Sequence, residues 1–190
     1  MYTGLMITVG IDEVGRGCWA GPVVAGAVVL GDPINGLKDS KKLTRRQRET
    51  LGAVVHQSAL AVGIGWVDAA TIDKLGITTA VKRAMQRALA AVQVDYDEII
   101  VDGHFNFLAD YPASRALVRA DDSVPAVSAA SIVAKVARDN FMRELAGTNP
   151  GYGFERHVGY GTAYHLQQLR LLGVSDQHRR SYKPVKALLQ

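Results

Sequence analysis

Apolar positions along the chain follow two rhythms. Short unbroken runs bounded by glycine, proline or charge fall at residues 7–11, 23–30, 59–67 and 98–101, with a weaker one at 116–119. Runs of that length, rich in valine and isoleucine, predict strands buried on both faces. The second rhythm is helical. Ile77, Ala80, Val81, Ala84, Met85, Ala88, Leu89 and Val92 recur at steps of three and four, which makes one apolar face over 77–92. Thr44 offers an N-cap for a helix to about residue 57, and Ser128 one for a helix to about residue 145. In the latter, Ile132, Val133, Val136, Phe141 and Leu145 face inward, and a last helix covers 162–172. Three early strands, then strands alternating with helices, predict an α/β sheet with helices packed on it. A glycine-rich break at 147–153 separates a segment too short to fold alone. Residues 1–190 therefore read as one domain, with a sheet core over 1–146 and a helical C-terminal part over 147–190 packed on it.

Composition narrows the class. Over 190 residues, 48% are hydrophobic and 21% charged, which excludes intrinsic disorder. The single cysteine, Cys18, permits neither an internal disulfide nor a cysteine zinc site and fits a reducing compartment. No apolar run approaches the roughly 20 residues of a membrane span. The opening MYTGLMITVGIDEVGRG lacks the basic start of a signal peptide. The expectation is a cytoplasmic protein without membrane contact. Net charge is +4, and residues 151–190, with six basic and two acidic groups, carry all of it. That asymmetry points weakly to a polyanionic partner.

Carboxylates at predicted strand ends change the picture further. Asp12 and Glu13 follow the first strand, where Gly15 and Gly17 supply a turn. Adjacent strand residues point to opposite faces, so this pair converges only where the strand has ended. Asp102 ends the fourth strand, and Asp121 and Asp122 end the fifth. Taken singly, an Asp-Gly is a turn and Asp121-Asp122 a solvated loop. Jointly, three strand ends of one sheet present acids where open α/β sheets bind ligands. Such a cluster requires a cation, and its all-oxygen donor set suits Mg²⁺ or Mn²⁺ rather than zinc. Two such ions are a known arrangement for phosphodiester hydrolysis.

The segments GIDEVGRGCWAGPVVAGAVVL, DSKKLT, VDG, VPAVSAASIVAKVARD and GYGT, with the downstream HRRSY, resemble the ribonuclease HII family across residues 7–186. The resemblance implies a ribonuclease H-like fold: a five-stranded mixed sheet flanked by helices, with a small helical C-terminal part. It implies a divalent-metal-dependent endonuclease of RNA–DNA hybrids, acting as a monomer. It also implies cleavage 5′ of single ribonucleotides in duplex DNA, leaving 5′-phosphate and 3′-hydroxyl ends, with roles in replication and ribonucleotide excision repair. The family's four acids map to Asp12, Glu13, Asp102 and Asp121. The spacing to Pro125 selects Asp121 over Asp122, although Ala120 stands where the family has glycine.

Gly15, Arg16 and Gly17 resemble the motif that reads the 2′-hydroxyl, a group that both donates and accepts. Tyr160 resembles the tyrosine that stacks on the sugar beside the junction, and Val158 replaces a usual lysine just before it, so a phosphate contact is either missing or supplied by Arg156 or His157. Ser40, Lys41 and Lys42 match the family's phosphate-binding stretch. The cluster 38–48 holds six basic groups and one acid. With the terminal segment, including Arg179 and Arg180, it is expected to form the walls of a nucleic-acid groove. His104 replaces a usual asparagine. Ribonuclease HIII, with its extra N-terminal domain, fits less well because only six residues precede the first strand. A binding protein without catalysis fits poorly with four acids present.

Overall fold

The computed structural model describes residues 6–189. Residues 1–5 of the opening segment lie outside it, as does residue 190. Five strands form one sheet: β1 (Thr8–Val14), β2 (Val23–Leu30), β3 (Ala59–Val67), β4 (Glu98–Asp102) and β5 (Ser114–Leu117), in the order β3-β2-β1-β4-β5. The first three pair antiparallel, whereas β1–β4 and β4–β5 pair parallel. The sheet is mixed and five-stranded, as the resemblance implied.

Helices α1 (Arg45–Ser58), α2 (Ala69–Leu75) and α3 (Ile77–Ala90) lie between β2 and β4. Thr44 caps α1 through a reciprocal capping box with Gln47. Helix α2 escaped the apolar pattern because it is short. Its signal was the cap: the Asp68 carboxylate accepts from the Thr71 amide at 2.7 Å. Helix α3 buries Ala80, Val81, Ala84, Met85, Ala88 and Leu89 against one sheet face, which carries Val9, Ile11, Ile99 and Val101.

The opposite face receives α5 (Pro125–Thr148), which follows the short helix α4 (Ala120–Ser123). Helix α5 starts a turn earlier than the Ser128 cap predicts, because Pro125 takes the first helical position, where its missing N–H costs nothing. Its inward residues also differ: Met142 and Arg138 are buried, whereas Val136, Phe141 and Leu145 are only half-buried. Gly10 and Gly26 make the close packing feasible. A Cβ on Gly10 would collide with the Ala126 carbonyl carbon, and one on Gly26 with the Ala130 oxygen. Beyond α5 come α6 (Phe154–His157), α7 (Ala163–Leu172) and α8 (Lys183–Lys186). A backbone bridge between Ala20 and His178 ties this segment to the chain just after β1.

Candidate active site

Asp102 ends β4 as expected, but the other acids do not lie where the sequence placed them. Strand β1 continues through Asp12 and Glu13 to Val14, so both belong to the strand rather than to the turn after it. Alternation then separates them. Ile11 packs on the α3 side, which puts Glu13 on that side and Asp12 on the α5 side. Parallel pairing of Ile11 with Val101 brings Asp12 beside Asp102 on the neighbouring strand. Asp121 arrives by a different route. Strand β5 ends at Leu117, earlier than expected, and Asp121 and Asp122 sit on α4. Arg119, in the left-handed region at φ 56°, turns the chain back. The amides of Ala120 (2.8 Å) and Asp121 (3.4 Å) then donate to Asp102 Oδ1. The Ser128 hydroxyl fixes the turn by donating to the Asp121 carbonyl at 2.6 Å.

One carboxylate oxygen each from Asp12, Asp102 and Asp121 lies within 4.8 Å of the others. Burial, then repulsion from Glu13 and Asp102, pushes the Asp12 carboxyl up to about 8. Asp121 is raised by burial and by Asp102. Three crowded oxygen donors held this way fit a hard divalent cation, which removes the repulsion at a stroke. Glu13 stands apart from the trio and accepts from Arg16 at 3.2 Å. Asp122 faces away and pairs with Lys42 at 2.5 Å.

Asp12 and Glu13 also line a cavity of about 220 Å³ with Gly15, Arg16, Gly17, Ser40, Lys41 and Tyr160. Lys41 reaches Asp121 at 3.9 Å. The Ser40 hydroxyl is buried against that of Ser131 at 2.9 Å. Lys42 is outside the cavity lining. Gly15 has φ +93°, and a Cβ there would collide with the Arg138 guanidinium, so the loop tolerates no side chain at this point. Ser131, which the sequence reading missed, and Lys135 complete the lining. Both come from α5, and Lys135 pairs with Asp139 at 2.8 Å. Their signal is spacing, since 128, 131 and 135 step by three and four along one helix face. His104 is exposed.

A scan of family models matches ribonuclease HII over residues 9–185. The chain belongs to the ribonuclease HII family. The ribonuclease HII of Halorhodospira halophila is 50% identical over 184 residues, covering 95% of this chain and 94% of that one. That of Nitrosococcus oceani is 48% identical, covering 95% and 90%. The solved ribonuclease H2 of Pyrococcus horikoshii superposes with a TM-score of 0.81 at 27% identity, covering 96% of this chain and 97% of that one. Family membership makes the chain a hydrolase, a divalent-metal-dependent endonuclease of RNA–DNA hybrids. Among the described residues, no helix is long and apolar enough to cross a membrane.

Two arginines hold the loops around the site. Arg138 and Arg179 are fully buried, and among the described residues neither has a carboxylate partner. Arg138 donates to the carbonyls of Pro22 (2.9 Å), Val158 (2.8 Å) and Ala20 (3.1 Å). Arg179 donates to those of Gly21 (3.0 Å) and Arg16 (2.9 Å). This corrects the expectation that Arg179 walls a nucleic-acid groove: its guanidinium faces the interior, and only Arg180 of that pair is exposed. His157 is likewise unavailable to phosphate, because its ring nitrogens engage the Tyr152 carbonyl and the Gly159 amide.

Proposed function

We propose that the protein cuts the RNA strand of RNA–DNA hybrids and also cuts 5′ of a single ribonucleotide embedded in duplex DNA, leaving 5′-phosphate and 3′-hydroxyl ends. The observation that carries this reading is the Asp12–Asp102–Asp121 convergence beside a glycine-flanked loop. Asp12, Glu13, Asp102 and Asp121 would hold a pair of Mg²⁺ or Mn²⁺ ions, the Asp trio supplying the convergent oxygens. A bound pair of such ions activates water and stabilises the leaving oxygen of a phosphodiester. The remaining work is positioning. The backbone of Gly15, Arg16 and Gly17 approaches the ribose and reads its 2′-hydroxyl. Tyr160, 40% exposed, offers its face to the next sugar. Lys41 and Lys42, with the backbone around Ser40, hold the phosphate beyond it. The chain works as a single-domain monomer in the cytoplasm, a setting consistent with its lone, unpaired Cys18.

The test uses two labelled duplexes, one with an RNA run and one with a single ribonucleotide, each with Mg²⁺, Mn²⁺ or chelator. Cleavage of both with metal, ending at the 5′ side of the ribonucleotide and abolished by chelator, is expected. Cleavage of the RNA run alone overturns the single-ribonucleotide reading, and no cleavage with either metal overturns the whole.

A further inference from the structure

A second cavity, about 480 Å³, adjoins the first, with Tyr160 and Lys135 lining both. It draws residues from three helices: Arg45 and Arg48 from α1, Lys135 and Arg143 from α5, and Arg156 from α6. We infer that this groove binds the sugar–phosphate backbone of the nucleic acid where it leaves the acidic site past Tyr160, with Arg45, Arg143 and Arg156 as the phosphate ligands. The inference rests on the function proposed above and extends its substrate contacts.

The partners of each cation select those three. Lys135 is committed to Asp139 at 2.8 Å. Arg48 is committed to the carbonyls of Ser40 (3.1 Å) and Leu43 (2.6 Å). The other three are under-neutralised. Arg45 and Arg143 share one oxygen of Glu49, at 2.9 and 3.3 Å, and Arg143 also donates to the neutral Asn140 Oδ1. The hydrogen bond from Arg45, with the charges of Arg45 and Arg143 behind it, holds the Glu49 carboxyl below its ordinary value. Arg156 has only its neighbour Glu155, at 3.6 Å, and its side chain is 70% exposed. Its guanidinium carbon sits 5.3 Å from the centroid of the Tyr164 ring, which props the charge over the groove rather than letting it trail into solvent. Five cations thus face three carboxylates along a path continuous with the catalytic cavity. That path gives a polyanion whose sugar lies at Tyr160 a basic wall to follow. Arg156 also answers the loss of lysine at Val158, whose side chain carries no charge.

The experiment compares the full-length parent with an Arg45→Ala, Arg143→Ala, Arg156→Ala triple variant and an Arg170→Ala control on an exposed helix face. Initial rates are measured across a salt series on a long RNA–DNA hybrid and on hybrids shortened from either end. Duplex binding is read separately by fluorescence anisotropy in chelator. For the triple variant, the expectation is a several-fold rise in KM with a much smaller change in kcat. Its salt slope of log K should fall by about 0.9 for each phosphate that the protein no longer neutralises. The penalty should vanish on the duplex shortened from one end only. An unchanged slope in the triple variant overturns the proposal, as does an equal penalty on both shortened duplexes. Absence of cleavage by the parent sinks the catalytic reading instead, and the anisotropy slopes still report on the groove.

Discussion

The protein buries two sets of like charges, and they have opposite fates. Asp12, Asp102 and Asp121 crowd negative charge at the edge of the sheet, and burial pushes Asp12 up to about 8. Arg138 and Arg179 bury positive charge behind the loops that flank the same site. Five carbonyl oxygens meet the two guanidiniums, so they act as cement, although Arg179 Nη2 is buried without a partner among the described residues. The carboxylates take a few backbone amides and Lys41 at 3.9 Å, yet repulsion among them persists, so they are an incomplete site. A buried charge that is satisfied by hydrogen bonds serves the fold, whereas one left in repulsion is waiting for a ligand.

The largest expected effect separates the two sets by activity. Asp121→Asn should lower hybrid cleavage by more than about 100-fold, beyond the loss typical when only an outer partner of a metal ligand is removed. In chelator its melting temperature should equal or exceed the parent's, because one repelling charge has gone. Asp122→Asn, which breaks an exposed pair with Lys42, should change activity only a few-fold. Steady-state rates and thermal melts on both variants check this. Reversal of the two activities would move the fourth acid to Asp122.

The arginine set should behave the other way. Arg179→Ala strands the Gly21 carbonyl and loosens the Arg16 carbonyl, which then keeps only the Tyr182 hydroxyl, at 2.6 Å. A loss of about 3 kcal/mol is expected from groups buried without partners. It should show as a lower urea midpoint, partly restored by Arg179→Lys. A loss below about 1 kcal/mol would mean that the carbonyls relax to water and that the cement reading is wrong.

That contrast also explains what the sequence could and could not show. The five strands were legible because apolar runs of that length have few other uses, and 59–67 matched β3 residue for residue. Asp12, Asp102 and Asp121 were legible as acids at the ends of those runs, with Asp121 singled out by its spacing to Pro125. The way Asp12 and Glu13 diverge was not, since it depends on β1 continuing past them and on the register with β4. Arg179 was misread for a related reason. An arginine in a basic tail looks solvated, and nothing local reveals that the Gly21 and Arg16 carbonyls, more than 150 residues away in sequence, lie ready to receive it. Helix α5 began early because a proline, usually a stop signal, is also the best first residue.

The smallest effect concerns a third group that refuses charge altogether. His165 and His178 are buried, and burial pulls both down to about 4. Their partners fix the tautomers. His165 Nδ1 donates to the Tyr160 carbonyl at 2.9 Å, so its Nε2 accepts from His178 Nε2 at 3.0 Å. His178 Nδ1 then accepts from the Ser175 amide and hydroxyl, at 3.1 and 2.7 Å. Every ring nitrogen is used by a neutral ring, so a further proton must break a bond. The unfolded chain binds protons near pH 6.5, whereas the folded chain refuses them until about 4. Their contribution to stability is therefore complete above pH 6.5 and drains away as pH falls toward 4. The melting temperature should drop by a few degrees across that window. His178→Asn, which keeps a donor and an acceptor but cannot charge, should flatten the drop. The raised carboxyls of Asp12 and Asp121 oppose this trend, because the folded state holds their protons more tightly. An Asp121→Asn background should therefore steepen it. A profile unmoved by His178→Asn would place the acid sensitivity outside the histidine pair.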